Sequence, residues 1–339
     1  MYLTFYELKE KPFNLTPDPK FLYLTPGHRE ALAQLLYGVR ERKGFIVLIG
    51  EVGTGKTTLL QTLLKQLDGT AEVAFIVNSK LSFDEMLEYM LEDFGIAKVA
   101  ASRAQQLLTL NGFLVERCRA GQNTVLILDE AQHLDPPTLE QVRLLSNFET
   151  PKEKLLQIVL VGQPELKAKL QLTELRQLRQ RIGLRCSIQP LKPQETRDYI
   201  LSRLRIAGAN DLGLFTEPAI GRISEYAGGI PRIVNVVCDH CLLIGYADQR
   251  RRVDREVVDQ AIGYLEEAEL PRGRSESIFR KRRMAPRRWF LTAGTTALFA
   301  GVVILALYLD GATDVLNRLA GTFYDFASLA RERLSTLFN

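Results

Sequence analysis

From residue 44 to about 191, apolar runs of strand length alternate with stretches whose apolar residues recur every three or four positions. The runs are GFIVLIG (44–50), VAFIVN (73–78), TVLILDE (124–130), LQIVLVGQ (156–163) and CSIQPL (186–191). Runs this continuous are buried on both faces, and helices between them predict a parallel sheet covered on both sides. From about 192 to 268 the strand pattern stops. PQETRDYILSRLRIAG, TEPAIGRISEYAGG, PRIVNVVCDHCLLIGYA and REVVDQAIGYLEEAEL predict four helices in a compact bundle, with Gly208, Gly228 and Gly229 at helix ends.

The flanks read differently. Residues 1–26 carry Phe5, Tyr6, Pro12, Phe13, Pro17, Pro19, Phe21, Tyr23 and Pro26. Repeated proline forbids a long helix there and predicts an extended strap packing its aromatics on a domain surface. Thr25-Pro26 predicts an N-cap and first helical position, and HREALAQLLYGVRER continues at helical spacing. Residues 269–288 form a polar, Arg-rich linker. Residues 289–309, WFLTAGTTALFAGVVILALYL, hold no charge in 21 positions. At about 1.5 Å per residue that is the thickness of a bilayer's hydrocarbon core, so a single membrane span is expected. Residues 310–339 place apolar side chains at roughly helical spacing and predict a short amphipathic tail. The predicted division is therefore 1–191 strap and sheet domain, 192–268 helical domain, 269–288 linker, 289–309 span and 310–339 tail.

Charge changes the picture in one respect. The 339-residue chain has a net charge of +4, yet residues 271–288 alone hold seven Arg and one Lys against one Glu. The remainder is mildly acidic, which weighs against a nucleic-acid binder and makes a nucleic-acid partner unexpected. Cations this dense before a span hold that side in the cytoplasm. Four scattered cysteines make no disulfide framework, and a reducing compartment fits. The start, MYLTFYELKEKPF, lacks the basic and apolar regions of a secretory signal. Cys238 and Cys241 have CxxC spacing but no second ligand pair, so they read as small helix residues rather than a zinc site.

The strongest chemical signal is Gly50-Glu51-Val52-Gly53-Thr54-Gly55-Lys56-Thr57, followed by Thr58. Its glycines let the backbone curl so that several N–H groups meet one phosphate. Lys56 then reaches the terminal phosphates and the Thr57 hydroxyl ligates Mg²⁺. A buried strand precedes the loop and a helix follows, so the phosphates of ATP meet a helix N-terminus. The second signal is Val125-Leu126-Ile127-Leu128-Asp129-Glu130, a buried strand delivering two acids at its C-terminal edge. Asp129 is expected in the Mg²⁺ shell, and Glu130 is expected to polarise the attacking water. His133 reads as a loop residue.

An Asp-Glu pair after the third strand, then an Arg-bearing segment and a helical lid, resembles the AAA+ family of P-loop ATPases. FYELKEKPFNLTPDPKFLYLTPGHREAL, GEVGTGKTT, LILDEAQHL, VGQPEL and GGIPRIVN together closely resemble ATPases of the general secretion pathway protein A family. They equally resemble relatives encoded with exopolysaccharide and exosortase systems. The resemblance covers about residues 1–268. It implies that Gln163 is a polar sensor of the γ-phosphate and that Arg232 is a second sensor on a lid helix. It implies that the segment holding Arg176, Arg179, Arg181 and Arg185 supplies a finger to a neighbouring subunit's site in a homo-oligomer, expected to be a ring; Arg181 is the first choice and Arg185 the next. The resemblance further implies an ATP-hydrolysing motor on the bacterial inner membrane, with its ATPase domain cytoplasmic, working with a membrane-embedded secretion or export component. That family carries a peptidoglycan-binding region beyond its membrane helix. Here about 30 residues follow the expected span, and the sequence leaves a peptidoglycan role open. A DNA-associated AAA+ regulator of the transposition-helper type is the alternative.

Overall fold

The computed structural model describes residues 2–16, 18–77, 81–96 and 102–269. The expected linker beyond Glu269, the span 289–309 and the tail 310–339 lie outside the described residues. Among those described, no helix is long and apolar enough to cross a membrane.

Five parallel strands form one sheet: β1 (Phe45–Gly50), β2 (Ala71–Ile76), β3 (Asn123–Leu128), β4 (Leu156–Gly162) and β5 (Ile182–Ile188), in the order β2-β3-β4-β1-β5. Alternation within each strand sorts its residues onto two faces. One face places Phe45, Val47, Leu126, Leu128, Ile158 and Leu160 against Met86, Met90, Leu110, Leu114, Leu139 and Val142. Those partners lie on α4 (Phe83–Asp93), α5 (Arg103–Arg119) and α6 (Pro136–Leu145). The other face places Ile46, Leu48, Val125, Ile127, Val159 and Val161 against Leu32, Leu35, Val39, Leu59, Leu60 and Leu63. These belong to α2 (Pro26–Arg40) and α3 (Lys56–Leu67). α2 starts as its sequence predicts: Thr25 caps it, its hydroxyl accepting the His28 N–H, with proline at the first helical positions.

The sheet departs from the sequence pattern at its last strand. β5 starts at Ile182, before the apolar run at Cys186. It is an edge strand whose residues alternate between half-buried or buried and exposed, so Gly183 and Arg185 interrupt the apolar signal without interrupting the pairing. The register holds Ile49 opposite Gly162 and Ile76 opposite Leu128. The central strands therefore end in line, and the loops leaving β1, β3 and β4 emerge along one edge.

α7 (Pro164–Lys169) and α8 (Arg176–Arg181) are short connections, and α9 (Pro193–Ile206), α10 (Glu217–Ala227), α11 (Pro231–Ala247) and α12 (Arg255–Glu269) form a bundle. Its core includes Tyr2 of the four-residue α1 (Tyr2–Phe5), together with Tyr6, Leu8, Phe13 and Phe21. The aromatic strap thus shares its core with the helices of residues 193–269, far along the chain from it. Phe13 meets Phe215 edge to face, and Tyr23 does the same with Tyr199. Cys238 and Cys241 are fully buried on α11, where desolvation pushes the Cys241 thiol up to about 12.

Gly229 ties the bundle to the sheet. Its carbonyl accepts from the N–H of Leu191, just beyond β5. At φ +74°, a Cβ on Gly229 would lie 2.1 Å from the Leu191 carbonyl oxygen. Only glycine fits, and the contact sets where α11 begins. We expect Gly229→Ala to lower unfolding free energy by at least about 1–3 kcal/mol from backbone strain alone, measured by urea denaturation of the purified protein. Unchanged stability would show that this junction yields freely.

Candidate nucleotide-binding site

The loop from Gly50 to Thr57 turns on two left-handed glycines, Gly53 (φ +81°) and Gly55 (φ +98°). Three neighbours brace it. Gly50 has Thr54 Oγ1 and the Ile188 carbonyl so close that a Cβ would sit 2.9 and 3.2 Å from them. The Arg232 N–H donates to the Gly53 carbonyl at 3.3 Å, so the first turn of α11 closes on the loop. His28, 6% exposed, lies with Nε2 2.9 Å from the Thr54 carbonyl and Nδ1 2.7 Å from the Thr25 hydroxyl.

Lys56 opens α3 with its side chain folded into the loop, donating to the Gly50 carbonyl at 2.8 Å and the Glu51 carbonyl at 3.0 Å. Burial lowers its pKa; the charges of Glu130, Asp129, Glu51 and Glu165 oppose that shift. Asp129 follows β3, 5% exposed, and accepts the Glu130 N–H at 2.9 Å. Burial raises its pKa against that hydrogen bond and the Lys56 charge. Burial also pushes Glu130 upward, but hydrogen bonds from Gln132 and Gln163 and the nearby charges of Lys56 and His133 outweigh it, holding the carboxyl below its ordinary range. Neither acid caps the following helix, because Asp135 caps α6 by accepting the Thr138 N–H.

A cavity of about 460 Å³ collects most of the expected residues. Val52, Gly53, Thr54, Gly55, Lys56, Thr57, Thr58 and Glu130 line it from the sheet side, and Arg232 lines it from the bundle. Gln163 joins through Glu130, its Nε2 donating to Oε2 at 2.9 Å. Arg181 stands apart: its Nη1 donates to Ser146 Oγ and Asn147 Oδ1, both at 2.6 Å, beyond the end of α6. Arg179 is likewise bonded to Gln171, while Arg176 and Arg185 are exposed.

The donor set suits a magnesium nucleotide. Asp129 bears the cost of a desolvated carboxylate, which a divalent cation offsets, and the exposed Thr57 lies on the cavity wall. A family model described as "AAA domain" matches residues 39–170, the stretch holding the loop, both acids and Gln163. Residues 39–170 are an AAA domain. Around it, the chain is 43% identical over 248 residues to General secretion pathway protein A of Aeromonas hydrophila. That match takes in 73% of this chain and 45% of the relative, so the chain spans about half the relative's length. In fold, the chain is similar to Cdc6p from Pyrobaculum aerophilum, at TM-score 0.57 and 22% identity over 76% of this chain and 75% of that one. It is similar also to the Aeropyrum pernix ORC2 protein, solved as ADPNP–ADP complexes, at 0.55 and 18% over 78% and 75%. The chain carries an AAA domain and resembles General secretion pathway protein A, and its fold is the parallel-sheet P-loop fold.

Sequence reading did not single out several cavity residues. Asn14, Leu15, Thr16 and Leu22 line it from the strap, and Tyr199, Arg203 and Asn235 from the bundle. Arg203, buried, donates to the Pro12 carbonyl, to the Tyr199 hydroxyl at 2.9 Å and to the Asn14 carbonyl at 3.4 Å, with its guanidinium 4.8 Å from the Phe21 ring. The Tyr199 hydroxyl in turn donates to Asn235 at 2.9 Å. Arg203 shares the buried face of α9 with Thr196, Tyr199 and Ile200, and no local pattern announces that the strap covers it. We expect Arg203→Ala to destabilise the fold by about 1–3 kcal/mol for each buried polar group it strands, and to weaken binding of a fluorescent ATP analogue. Wild-type stability and affinity would show that the bundle holds the strap by apolar contacts alone.

Proposed function

We propose that this AAA domain binds ATP with Mg²⁺ and hydrolyses it, driving conformational change in an inner-membrane export or assembly system. The observation that carries the reading is the meeting of Lys56, Asp129 and Glu130 at one phosphate-shaped loop. In this reading Lys56 exchanges the Gly50 and Glu51 carbonyls for phosphate oxygens, and the loop's N–H groups cradle the phosphates at the start of α3. Thr57 and Asp129 would hold the Mg²⁺, which would supply charge neutralisation when bound. Glu130, ionised and held from one side by two amides, orients and polarises water. Such catalysis is positioning and electrostatics more than covalent chemistry. Gln163 links the γ-phosphate to Glu130, and Arg232 links it to the bundle. Arg181 remains our choice for a finger in a ring, where acting on a neighbour requires it to release Ser146 and Asn147.

Residues 289–309 support membrane anchoring by their length and lack of charge, and the basic stretch before them supports a cytoplasmic ATPase domain. Similarity to General secretion pathway protein A supports secretion as the setting, with exopolysaccharide export as its near variant.

Lys56→Ala is expected to abolish ATP binding, and Glu130→Gln to bind ATP yet turn over at a small fraction of the wild-type rate, both read by nucleotide binding and phosphate release. Equal turnover in all three proteins would sink the enzymatic reading. Wild-type specific activity should rise with protein concentration if a neighbour completes the site. For topology, Ser335→Cys on a background lacking the four native cysteines should react with a membrane-impermeant thiol reagent once any outer membrane is opened, whereas a cysteine in 271–288 should not. A soluble protein labelled at neither position would remove the anchor.

A further inference from the structure

Gln132 sits two residues beyond Glu130 and is 8% exposed. Glu130 takes a left-handed backbone (φ +53°), uncommon for a residue with a side chain. The chain then enters a single 3-10 turn, Ala131–His133, which folds Gln132 back towards Glu130. Both ends of its side chain are used. Its Oε1 accepts the backbone N–H of Gln163 at 3.1 Å, and its Nε2 donates to Glu130 Oε2. A backbone N–H can only donate, so the amide oxygen must face β4 and the amide nitrogen must face the carboxylate. The amide therefore has one possible orientation.

Two more contacts hold this arrangement. Lys169 of α7 donates to the carbonyls of Gln132 and Leu134, pinning the turn from below. Gly162, the last residue of β4, leaves the room: a Cβ there would lie 2.8 Å from Gln132 Oε1. A packing role alone needs neither the carboxylate contact nor the vacated space.

We propose that Gln132 is a positioning residue for hydrolysis, coupling the Glu130 carboxylate to the end of β4 and fixing which of its oxygens meets water. The inference rests on the reading of Glu130 given above. Gln132 and Gln163 donate to the same oxygen, Oε2. Two donors on one oxygen hold the carboxylate and leave Oε1 to the attacking water. Because Gln132 also carries the Gln163 N–H, a shift of β4's end moves Glu130 with it. The sensor strand and the water-orienting acid then respond together.

The test compares Gln132→Met, near in size but without either polar end, and Gln132→Ala with the wild-type full-length protein in detergent or membranes. ATP affinity, KM, kcat and thermal midpoint are measured for each. The proposal expects kcat to fall roughly 10- to 100-fold, the scale of loss when a reacting group is misplaced, with KM and ATP affinity within about two-fold. Wild-type kcat in either folded variant would overturn it. So would joint loss of ATP binding and turnover in both variants, which assigns Gln132 to the fold alone. Failure of the underlying reading looks different: the wild-type protein itself would release no phosphate, or Glu130→Gln would match it.

Discussion

A cation and two acids are held together with part of their hydration removed, and much of the described structure answers to that constraint. Lys56, Asp129 and Glu130 each lose hydration by standing at the C-terminal edge of a parallel sheet. Isolated, each charge would be costly. Near one another, and bonded to loop carbonyls, a neighbouring N–H and two side-chain amides, they hold opposed charges beside the glycine-turned loop. The sheet order places β1 beside β4, and β4 beside β3, which is what puts the phosphate loop, Gln163 and the two acids on adjacent strand ends. An antiparallel neighbour would send one of these loops to the opposite edge.

The second layer is the bracing of that edge from outside the sheet. α11 enters against Gly53, the strap passes over the cavity, and His28 holds the Thr54 carbonyl. Arg203 joins the strap to the bundle through carbonyls rather than carboxylates, with its guanidinium over the rings of Phe21 and Tyr199. The loop, the strap and the bundle therefore share contacts. A change in what the loop grips has a direct mechanical path to α11 and to the N-terminal strap, which suits the conformational work proposed for the domain.

What the sequence determined by itself is local. Strand-length apolar runs bounded by helices specify a covered parallel sheet, because burial on both faces removes polar alternation. The Gly-rich loop between a buried strand and a helix can be read as a phosphate site, because its backbone geometry needs glycine at set positions. Gly228 and Gly229 mark a helix end for the same reason, and Thr25-Pro26 marks a helix start. Tertiary structure alone decided the rest. β5 hides its first half because an edge strand exposes alternate residues and so loses the apolar signature. His28, Arg203 and Gln132 carry no local pattern, since their roles come from partners 26, 191 and 31 positions away, and spacing along a chain does not encode distance across a fold. Arg181 shows the same limit from the other side. Its place before the fifth strand could be read from the sequence, but its bonds to Ser146 and Asn147 follow from how α8 packs beside α6, which only the folded chain decides.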